Sequence, residues 1–254
     1  MFNIILERLD RLGHYFDFLG TLLRCSVKRP FYMNQYLFEI EHIGVDSLFV
    51  IILSSGAIGM IFALQMVTIL QDFQAEVSAG AMVAVAMSRE LAPVITTLML
   101  IAKNGSAMAA ELGTMKVTEQ IDALEAMSIT PERYLVLPKV AASMVVFPML
   151  TMLANVIGSI GAYIVSVFFS GIESGSYLDF LFQFLYPRDI FLGLIKAFVM
   201  GFIVSTVCCF YGLNASQGAK GVGDSATNAV VASSVSILLA DYVLNLILLR
   251  FIYH

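Results

Sequence analysis

Runs of eighteen or more residues with hardly a charge recur along this chain. No other feature limits its fold so strongly. A bilayer core is about 30 Å thick and takes about 20 apolar helical residues to cross. The backbone finds no water there, so a crossing segment must satisfy its own hydrogen bonds, as a helix does. Five spans are predicted, at 43–70, 80–103, 137–169, 189–212 and 228–252. Of 254 residues only 13% are charged, against about 25% in a soluble domain. The predicted fold class is all-α and polytopic, with a membrane-embedded body over 43–254.

Residues 1–30 read differently. Phe2, Ile5, Leu9, Leu12, Phe16, Leu19 and Leu23 are spaced alternately by three and four, which makes one helix face. Glu7, Arg8, Asp10, Arg11, Asp17 and Arg24 lie between them. Such a helix lies in the membrane interface rather than crossing it. Lys28, Arg29 and Pro30 should end it. The stretch lacks the apolar centre and cleavage site of a secretory signal. Counting the connections, the chain ends and the span edges, ten lysines and arginines fall on the N-terminal side and two on the other. Basic connections stay in the cytoplasm, so the N-terminus is expected inside and the C-terminus outside. Cys25, Cys208 and Cys209 show no metal-type spacing, and neither a disulfide nor a metal site is expected.

Charges inside the spans carry the functional signal. Arg89 and Glu90 sit in VAVAMSRELAPVITTLML, and Lys196 and Asp241 lie within the fourth and fifth spans. A charge at a helix centre costs about 2.5–3.5 kcal/mol on insertion scales, so such residues face a partner or a wet cavity. Neighbouring residues on a helix do not face each other. At least one of Arg89 and Glu90 therefore needs a partner elsewhere, water or an anionic ligand head. A polar layer at one depth in the outer half of the bilayer is expected; a purely packing role for the pair is the plainer alternative.

The segment TEQIDALEAMSITPERY, 118–134, reads as a short amphipathic helix at about 118–130. Thr118 suits an N-cap, Glu119 and Asp122 suit the first turn, and Pro131 follows the end. Ile121, Leu124 and Met127 form its apolar stripe. Its acidic polar face argues against anionic lipid and for a groove on a cytoplasmic protein. GLNASQGAKGVGDSATNAVV, 212–231, does not fit a phosphate loop and is expected to be a tight connection. Ser54, Ser55, Gly56, Gly59, Gly158 and Gly161 should allow close helix approach. His14, His42 and His254 sit near segment ends, and no hydrolytic constellation is visible.

Three blocks resemble a known family: SRELAPV (88–94), NGSAMAAELGTMKVTEQIDALEAM (104–127) and GAKGVGDSATNAVV (218–231). They are similar to the MlaE/YrbE permeases, membrane subunits of ABC transporters that work with MCE-domain proteins. The resemblance runs from about residue 43 to 250. It implies a homodimer, a cytoplasmic ATPase that binds ATP and Mg, an MCE protein on the outer face, and phospholipid or a related lipid as substrate. No cofactor is implied in this chain, no enzymatic activity of its own, and no nucleic-acid partner. The expected location is the inner membrane of a double-membraned bacterium.

The resemblance also implies site residues. A lipid cavity between two copies would be lined by Phe62, Gln65, Met66, Ile69, Leu70 and Phe73, with Arg89 and Glu90 beside it. Segment 118–130 would be the coupling helix, seating Glu119, Ile121, Asp122, Leu124 and Met127 in the ATPase. Lys103 stands where the family often has arginine, and Phe73 where many relatives have tyrosine. Two other functions fit the bare residues: a secondary transporter or channel using Arg89, Lys196 and Asp241, and a scaffold without transport.

Overall fold

The computed structural model describes residues 2–26 and 33–253, with side chains at 13–25, 33–248 and 250. Lys28, Arg29, Pro30 and the side chains before residue 13 lie outside them, so the N-terminal expectation bears only on the later part of its helix. Every regular element among the described residues is helical: α1 (Phe2–Ser26), α2 (Met33–Gly44), α3 (Leu48–Gln71), α4 (Ala79–Ala86), α5 (Ala92–Leu100), α6 (Ser106–Val117), α7 (Gln120–Ala126), α8 (Leu137–Tyr163), α9 (Ser174–Phe184), α10 (Pro187–Leu213) and α11 (Gly218–Tyr253). Among the described residues, five stretches are long and apolar enough to cross a bilayer: Met33–Gln71, Glu76–Val117, Glu132–Phe169, Pro187–Leu213 and Gly218–Leu248. All are longer than their apolar cores, because an α-helix continues past the hydrocarbon edge wherever no residue stops it.

Small residues set the crossings. A Cβ at Gly59 would overlap the backbone of Gly158, and one at Gly161 would meet the Gly56 carbonyl. The first and third spans therefore touch backbone to backbone, the arrangement that small residues favour in lipid. A short 3₁₀ joint, Val45–Ser47, separates α2 from α3. The second span holds that joint. Asn104 donates to the Ile43 carbonyl at 3.1 Å and to Ser47 Oγ at 2.9 Å. Lys103 donates to the Asp46 carbonyl.

In α1 the bundle-facing residues are Tyr15, Phe18, Leu22 and Cys25, while Phe16 and Leu23 of the predicted stripe are exposed on another side. The helix is apolar on two adjoining faces, and packing against α10 through Tyr15, Phe18 and Phe210 decides which one turns inward. The glycine-rich segment is mostly helix: α11 begins at Gly218, whose φ of +87° is a backbone conformation that glycine adopts without strain. Only 214–217 remain as connection. A Cβ at Gly221 would strike the Ser216 backbone, so a glycine is what lets this turn close.

Burial is uneven. Half of the most apolar stretch of the second, third and fourth spans is buried within the protomer, but only 11% of the fifth.

Candidate functional site

The site begins with a proline. Pro93 has no N–H to offer the Arg89 carbonyl four residues earlier, and its ring crowds that carbonyl. The helix widens there into a π turn over Met87–Leu91, a distortion found often at functional positions. The freed carbonyl accepts a hydrogen bond from Lys196 Nζ at 3.0 Å. Lys196 reaches it because Gly193, one turn before, lets α10 ride against the backbone of Ser88.

Asp189, Gly193 and Lys196 thus share one face of α10, turned toward the π segment. Asp189 takes Arg89, with Nη2 at 2.7 Å and Nε at 2.8 Å from Oδ1. Lys196 Nζ lies 2.6 Å from Glu90 Oε2 and 3.3 Å from Asp241 Oδ1. Asn245, one turn beyond Asp241 in α11, donates to Glu90 Oε2 at 2.8 Å. Arg89 and Glu90 turn to separate partners, as their adjacent helical positions require.

The cluster joins the second, fourth and fifth spans. Its five ionisable groups include three acids and two bases. Lys196 and Asp189 are each 2% exposed, whereas the Glu90 and Arg89 side chains are 42% and 36% exposed. One side is therefore sealed by α10, and the other opens at the protomer surface. Of the four charges flagged in the spans, Glu90, Lys196 and Asp241 come together directly, and Arg89 joins them through its carbonyl. Asp189 and Asn245 complete the cluster from positions that the sequence does not mark.

The other candidate residues lie elsewhere. Gln65, Ile69 and Phe73, four residues apart, are exposed along one face of α3 and the turn after it. Phe62, Met66 and Leu70 are half-buried against the protomer's apolar core. A cleft of about 990 Å³ opens between α1, α10 and α11, lined by His14, Tyr15, Phe210, Asp224, Asn228 and Val235 among others. None of the six candidate cavity residues on or just after α3 borders it. Tyr15 Oη lies 2.9 Å from Thr206 Oγ1; burial, partly offset by this bond, raises the Tyr15 phenol above its ordinary range.

A family profile described as Permease MlaE matches residues 36–247. The chain belongs to the MlaE permease family. A probable ABC transporter permease protein of Rickettsia bellii is 39% identical over 96% of this chain and 95% of its own length. The intermembrane phospholipid transport system permease protein MlaE of Haemophilus influenzae is 37% identical over 83% of the chain and 81% of its own. The chloroplastic protein TRIGALACTOSYLDIACYLGLYCEROL 1 of Arabidopsis thaliana is 39% identical over 89% of the chain and 65% of its own. The chain is thus a multi-pass membrane permease, a transporter subunit rather than an enzyme.

In this permease the segment expected to couple is shorter than predicted. α7 covers Gln120–Ala126 and is flanked by Glu119 and Ser128, both at positive φ. Thr118 does not cap it; its hydroxyl closes the preceding helix on the Thr114 carbonyl at 2.8 Å. Ile121 is buried in an apolar cluster with Leu22, Leu112 and Val140, and Leu124 packs half-buried beside it. The stripe is therefore partly covered by its own chain, since α1, α6 and α8 end close together there. Glu119, Asp122 and Met127 remain exposed.

Proposed function

We propose that this permease is the transmembrane subunit of an ABC transporter that moves phospholipids or related lipids between inner and outer membranes. In this reading it works as a homodimer. A separate cytoplasmic ATPase supplies the energy, with ATP and Mg bound there, and an MCE-domain protein sits on the outer face. The N-terminus is cytoplasmic and the C-terminus periplasmic.

One observation carries the reading: the charged cluster opens at the protomer surface beside the span that the protomer leaves barest. An ionic edge at bilayer depth is costly against acyl chains. A second copy apposed along α11 would remove it from the surrounding lipid. The two copies would then enclose a chamber with Glu90 and Arg89 on its wall, suited to a polar headgroup. Gln65, Ile69 and Phe73, with Phe62, Met66 and Leu70 behind them, supply mainly apolar surface for lipid tails.

At the other end α7 presents Glu119, Asp122 and Met127 to a partner, with Ile121 and Leu124 anchoring the helix to the bundle. Purification from native membranes tests the reading. It predicts two copies of this chain, a co-purifying ATPase and bound phospholipid, with ATP-dependent lipid movement after reconstitution. Ion-gradient-driven flux from this chain alone would overturn it.

A further inference from the structure

A second ionic group lies at the opposite end of the bundle. Lys139, at the start of α8, places Nζ 2.7 Å from Glu39 Oε1 on α2 and 2.8 Å from Glu111 Oε2 on α6. The first three spans are thereby tied at one point. The two carboxylates are not equivalent. The side chains of Lys139 and Glu39 are 4% and 8% exposed, but Glu111 is 43% exposed. Separating Lys139 from Glu39 would strand two buried charges. Separating it from Glu111 would return that carboxylate to water.

The placement gives this difference a direction. α7 hangs between α6, which carries Glu111, and α8, which carries Lys139. Its buried anchor, Ile121, packs in one cluster with Leu112 and Val140, the residues next to Glu111 and Lys139 in the chain. A shift of α7 therefore pulls on the two helices that the Lys139–Glu111 contact joins. Glu39 extends the connection into α2, and the Val45–Ser47 joint leads on to α3. Asn104 and Lys103 of the second span hold that joint.

We propose that Lys139 is a positioning residue that passes movement of α7 to the first span: Lys139 and Glu39 form a fixed pin, and Glu111 is the contact that releases and re-forms. The inference rests on the ABC-transporter reading above, with α7 as the element the ATPase moves.

The test uses the complete complex in proteoliposomes and measures ATP hydrolysis and lipid moved per ATP. Glu111→Gln should assemble and hydrolyse ATP within about twofold of wild type, while lipid moved per ATP falls at least about fivefold, a typical coupling effect. Lys139→Arg, which keeps the charge and both partners in reach, should retain the wild-type ratio. A Glu111→Gln complex with an unchanged ratio would overturn the inference. A loss that tracks only the amount of assembled complex would also overturn it, since that is what a packing role gives. A wild-type complex that moves no lipid with ATP would instead remove the functional reading on which the inference stands.

Discussion

The molecule carries two ionic clusters built from similar parts. Each has a lysine buried between carboxylates from other helices, and each leaves one glutamate partly open. Their surroundings differ. The Lys139 group lies where three spans end, so Glu111 opens toward the loop that carries α7. The Lys196 group lies well inside its spans, about 13 Å along α10 from Pro187 at 1.5 Å per residue, so Glu90 opens within the membrane. Among similar carboxylates, depth decides what the open one needs. Near a span end it can be solvated in place. At bilayer depth it needs a wet chamber or a second protein.

Substitutions can break this comparison. The largest effect is expected for Lys196→Met, which leaves Glu90 and Asp241 without their cation. Removing one partner of a buried pair costs ~3–5 kcal/mol, read as a lower thermal midpoint in nanodiscs. The same variant should carry less bound phospholipid by native mass spectrometry; a normal load would detach the cluster from the lipid pathway. Next comes a paired contrast at the other cluster. Glu39→Gln should cost about 3 kcal/mol because Lys139 stays buried, whereas Glu111→Gln should cost under about 1 kcal/mol as a partly solvated contact. Equal costs in unfolding experiments would erase the distinction between pin and release.

A smaller effect is expected for Asp189→Asn, which keeps the shape but weakens the hold on Arg89. The charged hydrogen bonds lost suggest about 1.5 kcal/mol, measured by the same unfolding assay. An effect as large as that of Lys196→Met would mean that the two halves of the cluster act as one unit. The smallest belongs to Tyr177, packed edge-on to Tyr163 with ring centroids 5.3 Å apart, its hydroxyl without a hydrogen-bond partner among the described residues. Tyr177→Phe should be neutral or stabilising by less than about 1 kcal/mol. Burial raises this phenol from 10.0 to about 12, so the folded state favours its neutral form. Its contribution is complete below pH 10 and fades as the pH rises toward 12; Tyr177→Phe should flatten the stability profile there.

Much of this was legible in the residues themselves. Apolar runs fixed the number of spans because lipid leaves the backbone no alternative to internal bonding. Arg89, Glu90, Lys196 and Asp241 stood out because each interrupts such a run. Asp189 did not, since an acid at a span's edge looks like any solvated end residue. Lys139 was hidden in the same way among flanking cations. Pairings across about a hundred residues leave no local pattern. Pro93 is a local signal, for its missing N–H marks the Arg89 carbonyl as available. The inward face of α1 was ambiguous for another reason: its two apolar stripes overlap, and only the neighbouring helix selects one.

That Arg89 carbonyl bears on how the chain is made. A ribosome delivers the second span long before the fourth, and with Pro93 in place the emerging segment holds an oxygen it cannot match by itself. Lys196 arrives about a hundred residues later and supplies the proton donor. The second span is thus unfinished at birth, and its completion waits on the passage of the fourth.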